Sequence, residues 1–271
     1  MKKKLKWKNI IVILIALISI TTLIISIINI VKWKRDNNNT EKIINKIEKI
    51  VTIEEVPDSD KTEITPVEVE ESNPYWDYIK MNLISVNFED LKKENPKTVG
   101  WLQVNGTNIN YPFVQTKDNS YYLNHSFNNK YNQAGWVFMD YRNNIESFDK
   151  NSIIYAHGRL DSSMFGSLRN ILKSKWLNDP NNFVIKLSTE YENTLWQVFS
   201  VYRIPTTNDY IQVYFNSDKE FIDFANMLIA RSAYNFNTTL NENDNILTLS
   251  TCYNDNDKVV LHAKLIKKER R

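Results

Sequence analysis

The stretch Asn245-Ile-Leu-Thr-Leu-Ser-Thr-Cys252 sorts its side chains onto two faces. Ile246, Thr248, Ser250 and Cys252 share one face of an extended chain, and Leu247, Leu249 and Thr251 share the other. Successive residues of a strand point to opposite sides. The stretch therefore reads as a β-strand that carries the chain's only cysteine at its end, on the more polar face. A cysteine there stands at a rim, yet a free cysteine is also commonly a small buried hydrophobe. The strand alone leaves both readings open.

Outward from it, short β-branched or alternating runs recur. They are Val99–Val104, Asn108–Val114, Gly135–Met139, Ser152–Ala156, Phe183–Leu187, Thr194–Ile204, Ile211–Phe215 and Lys258–Ile266. Two helices interrupt them. One runs from about Ser163 to Trp176. The other starts at Ser217, where Glu220 completes a capping box, and runs to about Ala233. Asn73 followed by Pro74 marks a helix start, with the stripe Tyr75, Trp76, Ile79 and Leu83 behind it. Many short strands with few helices predict a mainly β domain, a barrel or sandwich with helical decorations.

Composition narrows the classes. Aromatics at 12% supply enough apolar surface for a core. One cysteine allows no internal disulfide framework and no Cys-rich zinc site. The net charge of +2 hides a division: residues 1–35 carry eight basic residues and no acid, so the rest sums to −6. A nucleic-acid binder has its basic stripe on the folded domain, so no nucleic-acid partner is expected. The oxygen-rich runs Asn241–Asn245 and Asp255–Asp257 lack the spacing, central Gly and closing Glu of a calcium loop and read as turns. No metal and no cofactor is expected.

The chain divides into four parts. Residues 1–9 form a basic tail. Residues 10–31 are an uncharged apolar run long enough for a transmembrane signal anchor. No small-residue cleavage site precedes Lys32. The short basic N-terminus is expected inside, in a single pass, with the rest outside the cell membrane. Residues 32–73 read as a flexible acidic stalk, although Ile43, Ile44, Ile47, Ile50 and Ile53 recur at helical spacing. Residues 74–271 read as the folded domain, which the resemblance given below implies to be catalytic.

Candidate chemistry is sparse. Besides Cys252 there are three histidines. His157 ends the strand Ser152-Ile-Ile-Tyr-Ala and precedes Gly158, which suits either an oriented general acid/base or a turn histidine bonded to backbone. His125 reads as a surface residue and His262 as a mid-strand one. A thiolate and an imidazolium stabilise each other, so a Cys–His pair makes a nucleophile at neutral pH.

Several segments together resemble the class B sortases. They are Gly100-Trp-Leu-Gln-Val-Asn-Gly-Thr-Asn-Ile-Asn-Tyr-Pro-Phe-Val-Gln-Thr-Lys-Asp-Asn-Ser-Tyr-Tyr-Leu-Asn-His125, Ala134-Gly-Trp-Val-Phe-Met-Asp-Tyr-Arg142, Ile154-Tyr-Ala-His-Gly158, Ser163-Met-Phe-Gly-Ser-Leu168 and Thr248-Leu-Ser-Thr-Cys252. The resemblance spans roughly residues 75–268, with the motifs in family order. It implies a mainly β fold: a closed eight-stranded barrel with N-terminal helices and a helix in the loop before the nucleophile strand. It also implies a cysteine transpeptidase (a thiol peptidase and acyltransferase) on the surface of a Gram-positive cell.

Residue by residue, the resemblance makes Cys252 the nucleophile and His157 the general acid/base. Backbone beside Cys252 would help bind the oxyanion. The family's Arg stands four residues before the histidine of the last strand, and that position here is Lys258. Arg offers a planar fork of donors, Lys a hydrated point charge. Arg142, Arg159 and Arg203 are the alternative sources of a guanidinium. Thr248, Ser250, Thr251, Tyr202 and Tyr214 are the candidate substrate-binding residues. The implied reaction cleaves an Asn-Pro-x-Thr-type C-terminal sorting signal of a secreted protein. The new Thr carboxyl is then joined, through a thioacyl enzyme, to an amine of a cell-wall precursor or a pilin. The Lys258 departure motivates one alternative, a sortase-fold protein with weak or no catalysis acting as a peptide-binding or scaffolding module. A plain cysteine protease is the other.

Overall fold

A computed structural model describes residues 7–67, 69–252 and 256–271, without the side chain of Cys252. The N-terminal portion comprises helix α1 (Trp7–Ile50), strands β1 (Ile53–Val56) and β2 (Thr62–Ile64), helix α2 (Tyr75–Tyr78), strand β3 (Leu83–Val86) and helix α3 (Glu89–Glu94). Then come β4 (Thr98–Val104), β5 (Asn110–Gln115), β6 (Phe138–Met139), β7 (Asn151–Tyr155), helix α4 (Ser174–Leu177), β8 (Val184–Thr189), β9 (Glu192–Pro205), helix α5 (Asp218–Ala230), β10 (Ile246–Cys252) and β11 (Asp257–Arg270).

Strands β4 to β11 close on themselves. The order runs β10-β7-β6-β5-β4-β8-β9-β11, and β11 pairs back onto β10. That makes an eight-stranded mixed barrel among the described residues, as expected. The pairs β10–β7 and β5–β6 are parallel; the other barrel pairs are antiparallel. Closure leaves no barrel edge free to pair with another chain.

The alternation read from β10 sorts two cores. Leu247 and Leu249 enter the barrel with Phe113, Ile154, Trp196 and Leu261. Ile246 faces outward into a second cluster with Phe199, Tyr202, Val260 and Phe221, under α5. That helix starts as its capping residues predict: Ser217 Oγ accepts from Glu220 N at 3.2 Å. The Glu220 carboxylate reaches back to Asn216 N at 2.7 Å.

Four readings change. The stripe Tyr75, Trp76, Ile79 and Leu83 is not one helix: α2 ends at Tyr78, and Leu83 opens β3. Ile211–Phe215 forms no strand. Asn151 Nδ2 donates to Gln212 O at 2.8 Å, so a side chain satisfies backbone that a ladder would otherwise pair. The segment read as one helix from Ser163 to Trp176 is a 3₁₀ turn, Gly166–Leu172, followed by α4. Gly166 presses against the Arg159 carbonyl, which would lie 2.1 Å from a Cβ. Finally, residues 32–73 are not a structureless spacer. Helix α1 continues to Ile50, and Ile43, Ile44, Ile47 and Ile50 pack on the barrel core. Asn132 Nδ2 donates to Thr40 Oγ1 at 3.0 Å and to Asp36 O at 3.2 Å. Strand β1 pairs with β3, and β2 pairs with the end of β11. Two of the acids there meet basic partners: Asp58 pairs with buried Lys267, and Glu63 with Lys268. Composition showed the acids but not the complementary surface that orders them.

Candidate active site

Strands β7 and β10 run parallel in a register that sets Tyr155 opposite Ser250. Two residues further along each chain are His157 and Cys252. Side chains repeat every second residue along a strand, so this register carries both residues to one end of the barrel, where β7 gives way to a turn. On the other side, the Cys252 backbone pairs with Lys258 of β11. The Cys252 side chain and Tyr253–Asp255 lie outside the described residues.

A cavity of about 280 Å³ opens at this strand end. His157, Lys258, Ser250, Thr251 and Tyr210 line it, with Leu123 and Thr206–Asn208 at its border. A larger hollow of about 900 Å³ lies beside Phe88, Glu190 and Arg271, and no histidine or cysteine lines it.

His157 is held from behind. Its Nε2 lies 2.6 Å from the Leu123 carbonyl. A carbonyl only accepts, so Nε2 carries the hydrogen. A second proton, when present, therefore resides on Nδ1. Gly135 makes room for the ring: it has φ +62, and a Cβ there would lie 3.0 Å from His157 Cδ2 and 2.5 Å from the Tyr122 carbonyl.

Lys258 lines the cavity. Among the described residues none of the three alternative arginines lines it. Arg142 forks onto Asp140, Arg203 pairs with Asp257, and Arg159 bonds Asn37, Asp161 and Ser163.

The candidate substrate-binding residues separate into two groups. Ser250 and Thr251 line the cavity. Ser250 Oγ bonds the Tyr210 hydroxyl at 2.9 Å. Thr251 Oγ1 is buried and has no partner among the described residues. Thr248 and Tyr202 lie elsewhere, in a sealed network around His262. Thr248 donates to Asn151 Oδ1 at 2.6 Å, which uses its one hydrogen. Its Oγ1 must then accept from His262 Nδ1 at 2.8 Å, leaving Nε2 to accept from the Tyr202 hydroxyl at 2.8 Å. Burial pushes the His262 pKa down to about 3, with the Arg231 charge adding to the effect. Burial also pushes the Tyr202 phenol up. Tyr214 is exposed, and its hydroxyl donates to Arg142 O at 3.0 Å. Neither Thr248, Tyr202 nor Tyr214 lines the cavity.

A polar cluster that sequence reading passed over braces the cavity wall. Asp140 is fully buried. Burial alone would raise its pKa, but the Arg142 fork, the Tyr155 hydroxyl and Asn119 bring it below the usual carboxylate value. The Arg142 guanidinium also donates to Ile211 O at 3.0 Å, tying down the segment that leads from β9 to α5. The spacing Asp140-Tyr-Arg142 was the available signal: an Asp can cap backbone two residues on, and Arg142 N does donate to Asp140 Oδ1 at 3.0 Å.

No cluster of His, Cys, Asp and Glu suited to a metal occurs among the described residues. The described part of the site brings an imidazole whose Nε2 is bonded to a carbonyl, the Lys258 side chain and the strand end of Cys252 around one cavity.

Comparison with known proteins gives one answer throughout. The Sortase domain model matches residues 102–266. Sortase B of Listeria monocytogenes is 39% identical over 184 residues, covering 66% of this chain and 74% of that protein. Sortase B of Staphylococcus aureus is 35% identical over 184 residues, covering 66% and 75%. Among solved structures, sortase B from Bacillus anthracis in complex with AAEK1 superimposes with a TM-score of 0.67 at 32% identity, over 86% of this chain and 99% of that one. The Staphylococcus aureus sortase B–substrate complex gives 0.62 at 35%, over 66% and 84%.

Proposed function

The chain belongs to the sortase family and is a cysteine transpeptidase, and from that premise we propose how its residues divide the reaction. The substrate is an Asn-Pro-x-Thr-type sorting signal near the C-terminus of a secreted protein. The Cys252 thiolate attacks the Thr carbonyl carbon. The oxyanion is met by backbone N–H beside Cys252 and by the Lys258 ammonium. The C–N bond breaks as His157 gives its Nδ1 proton to the leaving amine. The product is a thioacyl enzyme, which splits one hard step into two easier ones. An amine of a cell-wall precursor or of a pilin then attacks the thioester. His157 takes the proton from that amine, and the Cys252 thiolate leaves.

The observation that carries this reading is the β7–β10 register, which brings His157 to the strand end of Cys252, beside a cavity that Lys258 lines. The Nε2–H bond to Leu123 O supports Nδ1 as the nitrogen that moves the proton. The Thr251 hydroxyl, without a partner among the described residues, and the Ser250–Tyr210 pair are the polar groups offered to an extended peptide. Helix α1 supports a membrane anchor: its most apolar window has mean hydropathy 3.0 and none of that window is buried. In this reading residues 10–31 span the cell membrane once, the N-terminus is inside and the barrel outside.

The test uses an Asn-Pro-x-Thr peptide with and without a primary amine. The expected result is peptide–amine product that rises with amine concentration and a covalent acyl adduct on Cys252. Cleavage by Cys252→Ala at the wild-type rate would overturn the assignment. Water remaining the preferred acceptor at high amine concentration would make the enzyme a protease. Binding of the peptide without turnover would make it a scaffold.

A further inference from the structure

Helix α1 is continuous from its apolar run into the segment docked on the barrel. This fixes how far the barrel stands from the membrane. The apolar run ends at Val31, and the first hydrogen bonds to the barrel loops are at Asp36 and Asn37. Five to six residues of helix rise about 8–9 Å. The headgroup layer on each side of a bilayer is about 5–8 Å thick. The part of the barrel that grips Asp36 and Asn37 therefore sits at the outer edge of the headgroups.

Two loops make that grip, and each carries a large exposed apolar side chain next to its gripping residue. Asn132 and Gln133 bond Asp36, and their neighbour Tyr131 is 63% exposed. Arg159 bonds Asn37, and its neighbour Leu160 is 83% exposed. Trp33, three to four residues nearer the apolar run than Asp36 and Asn37, is 49% exposed, flanked by Lys32, Lys34 and Arg35. Exposed Lys130 precedes Tyr131. Aromatic and basic residues gathered next to the end of a membrane span are the signature of a membrane–water interface. The same two loops build the active site. Gly135 packs on the His157 ring, and His157 is two residues from Arg159.

We propose that the loops carrying Tyr131 and Leu160 insert these side chains into the lipid headgroup layer beside Trp33, pinning the barrel to the membrane with its cavity close to the lipid surface. The occupant of this face is the bilayer in which α1 is anchored. This rests on the reading of residues 10–31 as a membrane span. Its consequence is that the barrel does not swing on a flexible stalk. The His157 turn is held at a fixed height above the lipid.

The experiment uses the full chain with Cys252→Ala combined with Leu160→Cys, Tyr131→Cys or Tyr191→Cys, so that each protein has a single labelling site. Each protein is labelled with an environment-sensitive fluorophore and reconstituted into phosphatidylcholine–phosphatidylglycerol vesicles. Tyr191 is the reference: it lies in the β8–β9 turn, at the opposite end of the long strand β9 from the cavity. The expected result is that labels at 160 and 131 shift to shorter wavelength and brighten about twofold on reconstitution, as interfacial groups do. They are also quenched by headgroup-labelled lipid, and the label at 191 does neither. If the protein floats with the vesicles but labels at 160 and 131 behave like that at 191, the docking proposal falls and the anchor stands. If the protein does not float with vesicles, the anchor fails and the docking fails with it.

Discussion

Two imidazoles flank the same part of the barrel, and the fold gives them opposite properties. His157 sits where β7 gives way to a turn, lines a cavity and spends one nitrogen on a carbonyl. His262 sits in mid-strand on β11, fully buried, with both nitrogens bonded to hydroxyls that are themselves fixed. The first presents its ring to the cavity, where the proposed reaction needs it. The second is held neutral, because a charge there would lose its water and face the Arg231 guanidinium. Residue type is the same in both; strand position decides the use. A polar face on β10 behaves likewise. Ser250 reaches the cavity, while Thr248, one pleat repeat inward, is sealed under α5 and β9.

The contrast is open to direct attack. The largest effect belongs to the cavity side: Cys252→Ala is expected to lower turnover of the sorting peptide by more than about 1,000-fold. His157→Ala is expected to lose about 100- to 10,000-fold in kcat. Its denaturation midpoint should stay near wild type, since the side chain is not in the core. A His157→Ala protein that keeps its kcat would erase the distinction between the two rings.

His262→Gln is expected to do the reverse. Its broken network costs about 2–3 kcal/mol of stability, read by urea denaturation, while kcat of the folded fraction is retained. Acid sharpens the same point. The pKa of His262 is about 3 in the folded chain against an ordinary 6.5, so the unfolded state takes up the proton first. Its contribution to stability is complete above pH 6.5 and falls as pH drops toward 3, by about 1.4 kcal/mol per pH unit. Urea curves for wild type should therefore decline more steeply between pH 6.5 and pH 4 than those for His262→Gln. Parallel declines would mean that His262 is not held neutral by the fold.

The smallest effect is expected at Lys258. Replacing it by Arg restores a planar fork at the cavity and should change kcat by no more than about tenfold. Lys258→Ala should lose about 100-fold. Unchanged activity in Lys258→Ala would remove Lys258 from the oxyanion's surroundings.

Much of the fold was legible in short-range pattern. The period-two runs located each barrel strand to within a few residues, because a buried inner face demands alternation. Ser217 and Glu220 announced α5, and the resemblance in the motif segments carried the closed barrel. Patterns failed where long-range partners decide. Ile211–Phe215 alternates like a strand, yet the Asn151 side chain takes its backbone bond. The acidic stretch after Ile50 looked unable to order, yet Asp58 and Glu63 meet Lys267 and Lys268 from the far end of the chain. Asp140 and Arg142 stood in a recognised segment, but nothing local revealed that this pair reaches Ile211 and braces the cavity wall.

By itself the sequence determined the list of participants: one sulfur, three imidazoles, an apolar run and strands of set polarity. These follow from composition and from the geometry of a single extended or helical chain. Only the tertiary structure decided which imidazole faces the cavity, which hydroxyls are sealed away and how closely the barrel is tied to α1. Those outcomes depend on the parallel register of β7 and β10, the closure of β11 onto β10 and the docking of α1. All three join residues far apart in the chain, and no local pattern encodes how they pair.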